Sequence, residues 1–263
     1  MIGIISGSGI DQWPGLIDRQ IHHATTPFGS VNVTLGTVED TVVAHVSRHG
    51  PSHERLSHQV NHKANLSVLI DLGVTAVIGC TACGAVQPSI EPGSLIVFDD
   101  LYFGSNRMPD GSLCTWFDTP GQKGRGHWIF DHPFSDDLRS SLINAGKEFK
   151  SKILTNGVYG HVDGPRFNSR TEISALAACG VTAISQTGGP ETVLAGEAQL
   201  PYALVGYVTD YANGVANVPE PIEALVARMR MSADRFAELL HAALPLVNAH
   251  TPQPAGEVFW VES

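Results

Sequence analysis

Ser57-His58-Gln59-Val60-Asn61-His62-Lys63-Ala64-Asn65-Leu66-Ser67-Val68-Leu69-Ile70-Asp71-Leu72-Gly73-Val74-Thr75-Ala76-Val77-Ile78-Gly79 holds a helix, a stop and a strand in unbroken succession. Val60, Ala64, Val68, Leu69 and Leu72 recur at helical spacing and form one apolar face, predicting a helix over 57–72. Gly73 supplies the stop. Residues 74–79 are rich in Val and Ile with no polar alternation, the pattern of a strand buried on both faces. The same alternation extends outward. Strands are expected over 2–5, 31–37, 41–47, 94–98, 153–159, 181–185 and 202–208, and helices over 136–149, 171–179, 189–198 and 219–244. In the last helix Leu225, Met229, Phe236, Leu239 and Leu240 form the stripe. This order implies an α/β fold around a central sheet. Residues 99–133 keep no clean period and are expected to form a functional or interface loop. The tail after His250 is expected to extend along the surface or onto a neighbour.

The bulk numbers narrow the function classes. A chain of 263 residues can bury a full core as one domain. Its formal net charge of −10 disfavours non-specific nucleic-acid binding, which needs a basic surface. A few focused cations and backbone N–H groups can still hold a small anion. No apolar run approaches the ~20 residues of a membrane span, and Met1-Ile2-Gly3-Ile4-Ile5 lacks the basic start of a signal peptide. The cytoplasm is the expected location, with no membrane partner. Cys80 and Cys83 have the spacing of a redox or half-zinc pair, but no second pair accompanies them. All four cysteines, with Cys114 and Cys179, are read as reduced, packed thiols. His53 and His58 are one residue too far apart for a His-Glu-x-x-His zinc motif. No metal site is expected.

Polar motifs follow the expected strands, where ligands of open α/β sheets sit. Ser6-Gly7-Ser8-Gly9 offers hydroxyls and N–H groups, or is simply a tight strand–helix turn; it lacks the third glycine of a dinucleotide fingerprint. Arg48-His49-Gly50 can hold a phosphate, or Arg48 can serve a surface salt bridge. Thr81-Ala82 follows another strand. Ser185-Gln186-Thr187-Gly188 precedes a helix whose N-terminus favours an anion, or is a capped helix with Thr187 as cap and Glu191 balancing the dipole. Asp210 follows the strand ending at Val208.

The run Gly157-Val158-Tyr159-Gly160-His161-Val162-Asp163-Gly164-Pro165-Arg166-Phe167-Asn168-Ser169-Arg170, with Ser6–Gly9, Ser47–Gly50, Thr81–Gly84 and Val208–Tyr211, resembles the methylthioadenosine phosphorylase branch of the trimeric purine nucleoside phosphorylases. The resemblance runs from about Gly3 to about Pro245. It implies a single domain, residues 1–263, with a central mixed β-sheet flanked by helices, phosphorylase/hydrolase-like, assembled as a homotrimer. It implies that inorganic phosphate attacks the anomeric carbon of a purine nucleoside, with no metal or organic cofactor. It places Ser8, Arg48, His49, Thr81, Ala82 and Thr187 around phosphate. It places Phe167, Asn168 and the catalytic Asp210 at the base, and Gln186 at the ribose through its backbone N–H. Ile222 and Leu225 would wall the 5′ group, and His127 would serve a neighbouring subunit's site.

Three positions depart from that pattern. The adenine-reading branch has Asp-Tyr-Asp where this chain has Asp210-Tyr211-Ala212, while the 6-oxopurine branch has Asn in place of Asp210. Asn168 stands where adenine enzymes have Ser and guanine-reading ones Glu. Gln186 stands where the family has Met, and its amide would either bond a sugar hydroxyl or pack at the site edge. Methylthioadenosine or a close relative is therefore the expected substrate. A 6-oxopurine nucleoside, methylthioinosine, water-driven hydrolysis and a non-catalytic nucleoside binder are the alternatives.

Overall fold

The computed structural model describes residues 1–7, 13, 15–147, 149, 152–218 and 220–261. In chain order the strands are β1 (Ile2–Ser6), β2 (Ile17–Thr26), β3 (Gly29–Val38), β4 (Thr41–Ser47), β5 (Ala76–Ala85), β6 (Leu95–Val97), β7 (Asp100–Tyr102), β8 (Gly126–Ile129), β9 (Ile153–Leu154), β10 (Val158–His161), β11 (Ala183–Ser185), β12 (Tyr202–Tyr211) and β13 (Glu257–Trp260). The α-helices are α1 (His62–Asp71), α2 (Asp136–Gly146), α3 (Arg170–Ala178), α4 (Gly188–Glu197) and α5 (Ile222–Asn248). A mixed sheet runs β2-β3-β4-β1-β5-β11-β10-β7, and β12, β6 and β9 branch from β5.

The central strands divide their side chains between two cores. On β1, Ile2 and Ile4 join Phe236, Leu239, Leu240 and Leu244 of α5 and Leu138 and Leu142 of α2. Ile5 points the other way, into the cluster with Leu66, Val68 and Leu69 of α1 and Leu194 of α4. β12 repeats the division, with Ala203, Val205 and Tyr207 on the α2/α5 side and Tyr202, Leu204 and Val208 on the α1/α4 side. That two-sided burial is why these strands read as continuous apolar runs.

β5 positions the functional site. Its first half pairs in parallel with β1 as far as Ile5 and Gly79. Its end pairs antiparallel with β11 at Gly84 and Ala85. Between these partners, Cys80–Cys83 has lost β1 and not yet met β11. β12 holds the opposite edge along the whole length, its register shifting at a bulge between Val208 and Asp210. The resulting notch lies beyond the carboxyl end of β1.

Several expectations are corrected. Helix α1 begins at His62 rather than at 57, because Ser57–Gln59 forms a separate 3₁₀ turn and Asn61 caps Ala64 N–H. Thr81 and Ala82 lie inside β5 rather than after it, and Asp210 lies inside β12, since each strand supports the other beyond its apolar run. Segment 153–159 divides into β9 and β10. Residues 99–133 carry β7 and β8 and are pinned to α4, where Trp116 Nε1 donates to Leu194 O and its N–H to Glu197. The tail returns as β13, antiparallel to β8. Cys80, Cys83 and Cys114 are buried free thiols, whereas Cys179 is exposed. Among the described residues no helix is long and apolar enough to cross a membrane.

Candidate active site

One cavity in the notch gathers Arg48, His49, Thr81, Ala82, Thr187, Phe167, Asn168, Gln186, Asp210 and Leu225. These are ten of the residues singled out in the sequence. Ser8 lies outside the described residues. Ile222 opens onto an adjoining hollow shared with Glu220, Asp210 and Leu225 rather than onto the cavity itself. His127 faces outward on β8, away from it. Ser57, Cys83, Asn213 and Met229 complete parts of the lining and were not singled out as site residues. Met229, a member of the same apolar stripe, shares the cavity face of α5 with Leu225, one helical turn away.

Arg48 follows β4, and its backbone N–H donates to Ser6 O. The side chain is completely buried. Nε donates to Glu191 Oε1 at 2.6 Å and Nη2 to Glu191 Oε2 at 2.8 Å. Nη1 donates to Cys80 O at 2.7 Å and Nη2 to Ile5 O at 3.3 Å. The strand divergence frees the Cys80 carbonyl for this bond. A guanidinium has five N–H groups, so among the described partners one, on Nη1, remains. It lies beside Gly7, where a Cβ would stand 2.6 Å from Nη1. Burial works against both charges. The Arg48 guanidinium outweighs that for Glu191 and holds its carboxyl at about 2, and Glu191 in turn raises Arg48. The salt bridge that competed with phosphate in the sequence reading is therefore present, but buried. Glu191→Ala leaves a buried, unpaired guanidinium and is expected to lower stability by about 3–5 kcal/mol, read as a lower urea midpoint; an unchanged midpoint contradicts it.

His49 donates from Nδ1 to Arg55 O at 2.9 Å, because a carbonyl can only accept. Burial and then the Arg48 charge lower its pKa to about 4. The neutral ring keeps a lone pair on Nε2, on the Gly7 side of the ring. Thr81 Oγ1 bonds Ser185 Oγ at 2.8 Å. Thr187 is the N-cap of α4 but makes no side-chain cap bond, leaving its hydroxyl to the cavity. The next two N–H groups are taken internally: Gly188 donates to Tyr159 Oη and Gly189 to His161 Nδ1. The helix end therefore offers an anion its dipole and Thr187, not a fan of free amides.

At the opposite end, Asp210 Oδ1 accepts from Thr209 Oγ1 at 2.7 Å. Burial raises its pKa, and Glu220 adds to the effect. Asn168 Oδ1 is buried with no hydrogen-bond partner, and Asn213 Nδ2 fixes the Asn168 carbonyl at 2.7 Å. Phe167 offers an open ring face, 65% exposed. The cavity thus joins a flat apolar surface and proton-accepting groups to a small basic and hydroxyl-lined end. Among the described residues no group of three or more His, Cys, Asp or Glu could hold a metal ion.

Residues 1–245 match the phosphorylase superfamily. The chain is 32% identical over 250 residues to the 6-oxopurine nucleoside phosphorylase of Pyrococcus furiosus, covering 94% of this chain and 92% of that one. It is 33% identical over 267 residues to the S-methyl-5′-thioadenosine phosphorylase of Mycobacterium tuberculosis, covering 94% and 96%. The crystal structure of methylthioadenosine phosphorylase from Schistosoma mansoni in complex with adenine superposes with a TM-score of 0.86 at 28% identity, covering 95% and 92%.

Proposed function

Since the chain belongs to the phosphorylase superfamily and is a nucleoside phosphorylase, we propose that its substrate is 5′-deoxy-5′-methylthioadenosine or a closely related purine nucleoside, cleaved by inorganic phosphate. The observation that carries this reading is one cavity with Arg48, His49 and Thr187 at one end and Phe167, Asn168 and Asp210 at the other. Leu225 and Met229 supply the apolar wall for the methylthio group. A 5′-hydroxyl left without a partner there would cost roughly 1–3 kcal/mol.

In this mechanism a phosphate oxygen attacks C1′ and the C1′–N9 electron pair passes to the purine. Phosphate would be held by the remaining Arg48 N–H, the hydroxyls of Thr81 and Thr187, the Ala82 backbone and Ser8. His49 Nε2 accepts from a protonated phosphate oxygen, so the monoanion fits the neutral ring. Held beneath C1′, the anion is both nucleophile and counter-charge to an oxocarbenium-like sugar. Asp210, its pKa raised by burial, supplies or shares the proton at purine N7 as the leaving base gains negative charge. Phosphate is a co-substrate, and the scheme uses no cofactor. The reading includes a cytoplasmic homotrimer serving purine salvage. The outward face of His127 on β8 supports the trimer by leaving that side chain available to a neighbour.

A nucleoside panel tests the substrate. Methylthioadenosine and methylthioinosine are expected to exceed adenosine, inosine and guanosine in kcat/KM. Leu225→Asp is expected to reverse that order by placing a carboxylate where the thioether would lie. Equal rates for 5′-hydroxyl and 5′-methylthio compounds would contradict the assignment.

A further inference from the structure

Gln186 lines the cavity, yet both ends of its side-chain amide are already engaged. Oε1 accepts from Ser57 Oγ at 2.6 Å, and Nε2 donates to Arg166 O at 3.1 Å. The three groups come from distant parts of the chain: the 3₁₀ turn before α1, the end of β11, and the loop between β10 and α3. Gly164 is what lets them meet. A Cβ there would lie 2.2 Å from both Gln186 Oε1 and Ser57 Oγ, closer than any side chain tolerates. The amide occupies the space a residue-164 side chain would need. The loop so gripped leads directly to Phe167 and Asn168, the groups that face the base. Asn213 holds the same loop from its other side through the Asn168 carbonyl.

We propose that Gln186 and Ser57 form a latch that fixes the Gly164–Asn168 loop. Gln186 is then a positioning residue that acts on the nucleoside through Phe167 and Asn168, not through a side-chain bond to the sugar. The proposal rests on the phosphorylase reading for its kinetic consequences only; the latch itself is a property of the free protein. A methionine at 186 fills similar space but can neither accept from Ser57 nor donate to Arg166 O. The loop then keeps the Asn213 bond and the exposed Arg166–Glu172 pair, neither of which holds it to β11 or to the 3₁₀ turn.

The experiment compares wild type, Gln186→Met, Ser57→Ala, Ser57→Thr and the Gln186→Met/Ser57→Ala double variant. The nucleoside KM is expected to rise roughly 2- to 10-fold in Gln186→Met and Ser57→Ala, the size of a lost hydrogen bond. The change in kcat is expected to be smaller, since a loosened loop weakens ground and transition states alike. Ser57→Thr keeps the hydroxyl and is expected to retain the wild-type KM. The double variant is expected to be no worse than the poorer single one, because each removes the same contact. Amide hydrogen exchange over residues 164–170 is expected to quicken in both single variants.

Multiplying effects in the double variant, or unchanged exchange in that loop, would overturn the latch. So would a Gln186→Met protein whose preference between ribose and 2′-deoxyribose substrates shifts while Ser57→Ala leaves it alone, the mark of a direct sugar contact. If wild type cleaves no nucleoside, the functional reading fails by itself, and the exchange data still decide the latch.

Discussion

Asp210→Asn is expected to lower kcat/KM for methylthioadenosine by about 10²- to 10⁴-fold, the range of a positioned general acid. The leaving purine must acquire a proton or share one, and Asp210 is the carboxyl at the base end of the cavity. Its burial raises the pKa and favours the protonated form, while Thr209 Oγ1 at 2.7 Å fixes one oxygen. An amide retains the shape and the hydrogen bond but has no ionisable proton to give. It also changes part of the recognition: an amide N–H can donate to a 6-oxo group, whereas a carboxyl whose proton goes to N7 has only acceptors left. Loss on 6-oxo substrates should therefore be smaller than on 6-amino ones. Steady-state kinetics on both bases measures this. Equal losses would remove Asp210 from base recognition, and no loss would remove it from catalysis.

Acid unfolding is expected to be steep and to begin well above the carboxylate range. Burial lowers the pKa of His45 to about 4, with Arg19 and Arg48 adding to it, and that of His161 to about 3, with His62 adding to it. His49 stands at about 4. Each ring binds its proton more readily in the unfolded chain, whose histidines titrate near 6.5. The penalty is absent above that pH and grows as the pH falls. It stops growing for each ring once the folded group titrates, near 4 for His45 and His49 and near 3 for His161. The slope is about 1.4 kcal/mol per pH unit per ring, hence about 4 kcal/mol per unit for three. Glu191 acts in a lower window. Its contribution is complete above the unfolded carboxylate value and is lost only as the pH falls towards about 2. Urea midpoints between pH 6.5 and 4.5 therefore report the histidines, and His161→Asn is expected to reduce the slope by about a third. A flat stability profile across that window would contradict the assignment.

The legible parts of this molecule are those set by local pattern. The apolar runs of β1, β5 and β12 are readable because both faces are buried. Arg48, His49 and Thr187 are readable because their motifs stand where strands give way to loops or a helix, whereas Phe167, Asn168, Gln186 and Leu225 are reached through the family resemblance. β2 is not readable: most of Ile17–Thr26 is exposed, so no hydrophobic alternation marks it. Nor are β8 and β13, short strands that pair with each other across about half the chain. The fate of Arg48 depends on Glu191, 143 residues away, and that of Gln186 on Ser57, 129 residues away. Neither partner carries a local signal. Glu191 reads as an ordinary first-turn acid and Ser57 as part of a helix. The sequence shows which residues reach the cavity, while the hydrogen bonds already committed inside the protein show how much of each remains for a ligand.

The most direct test of the account is base release from methylthioadenosine as a function of inorganic phosphate, with the sugar product identified. The account predicts saturable dependence on phosphate, one pentose 1-phosphate formed per base released, and negligible release without it. Release of base at the same rate in phosphate-free buffer, with free sugar as product, would contradict it.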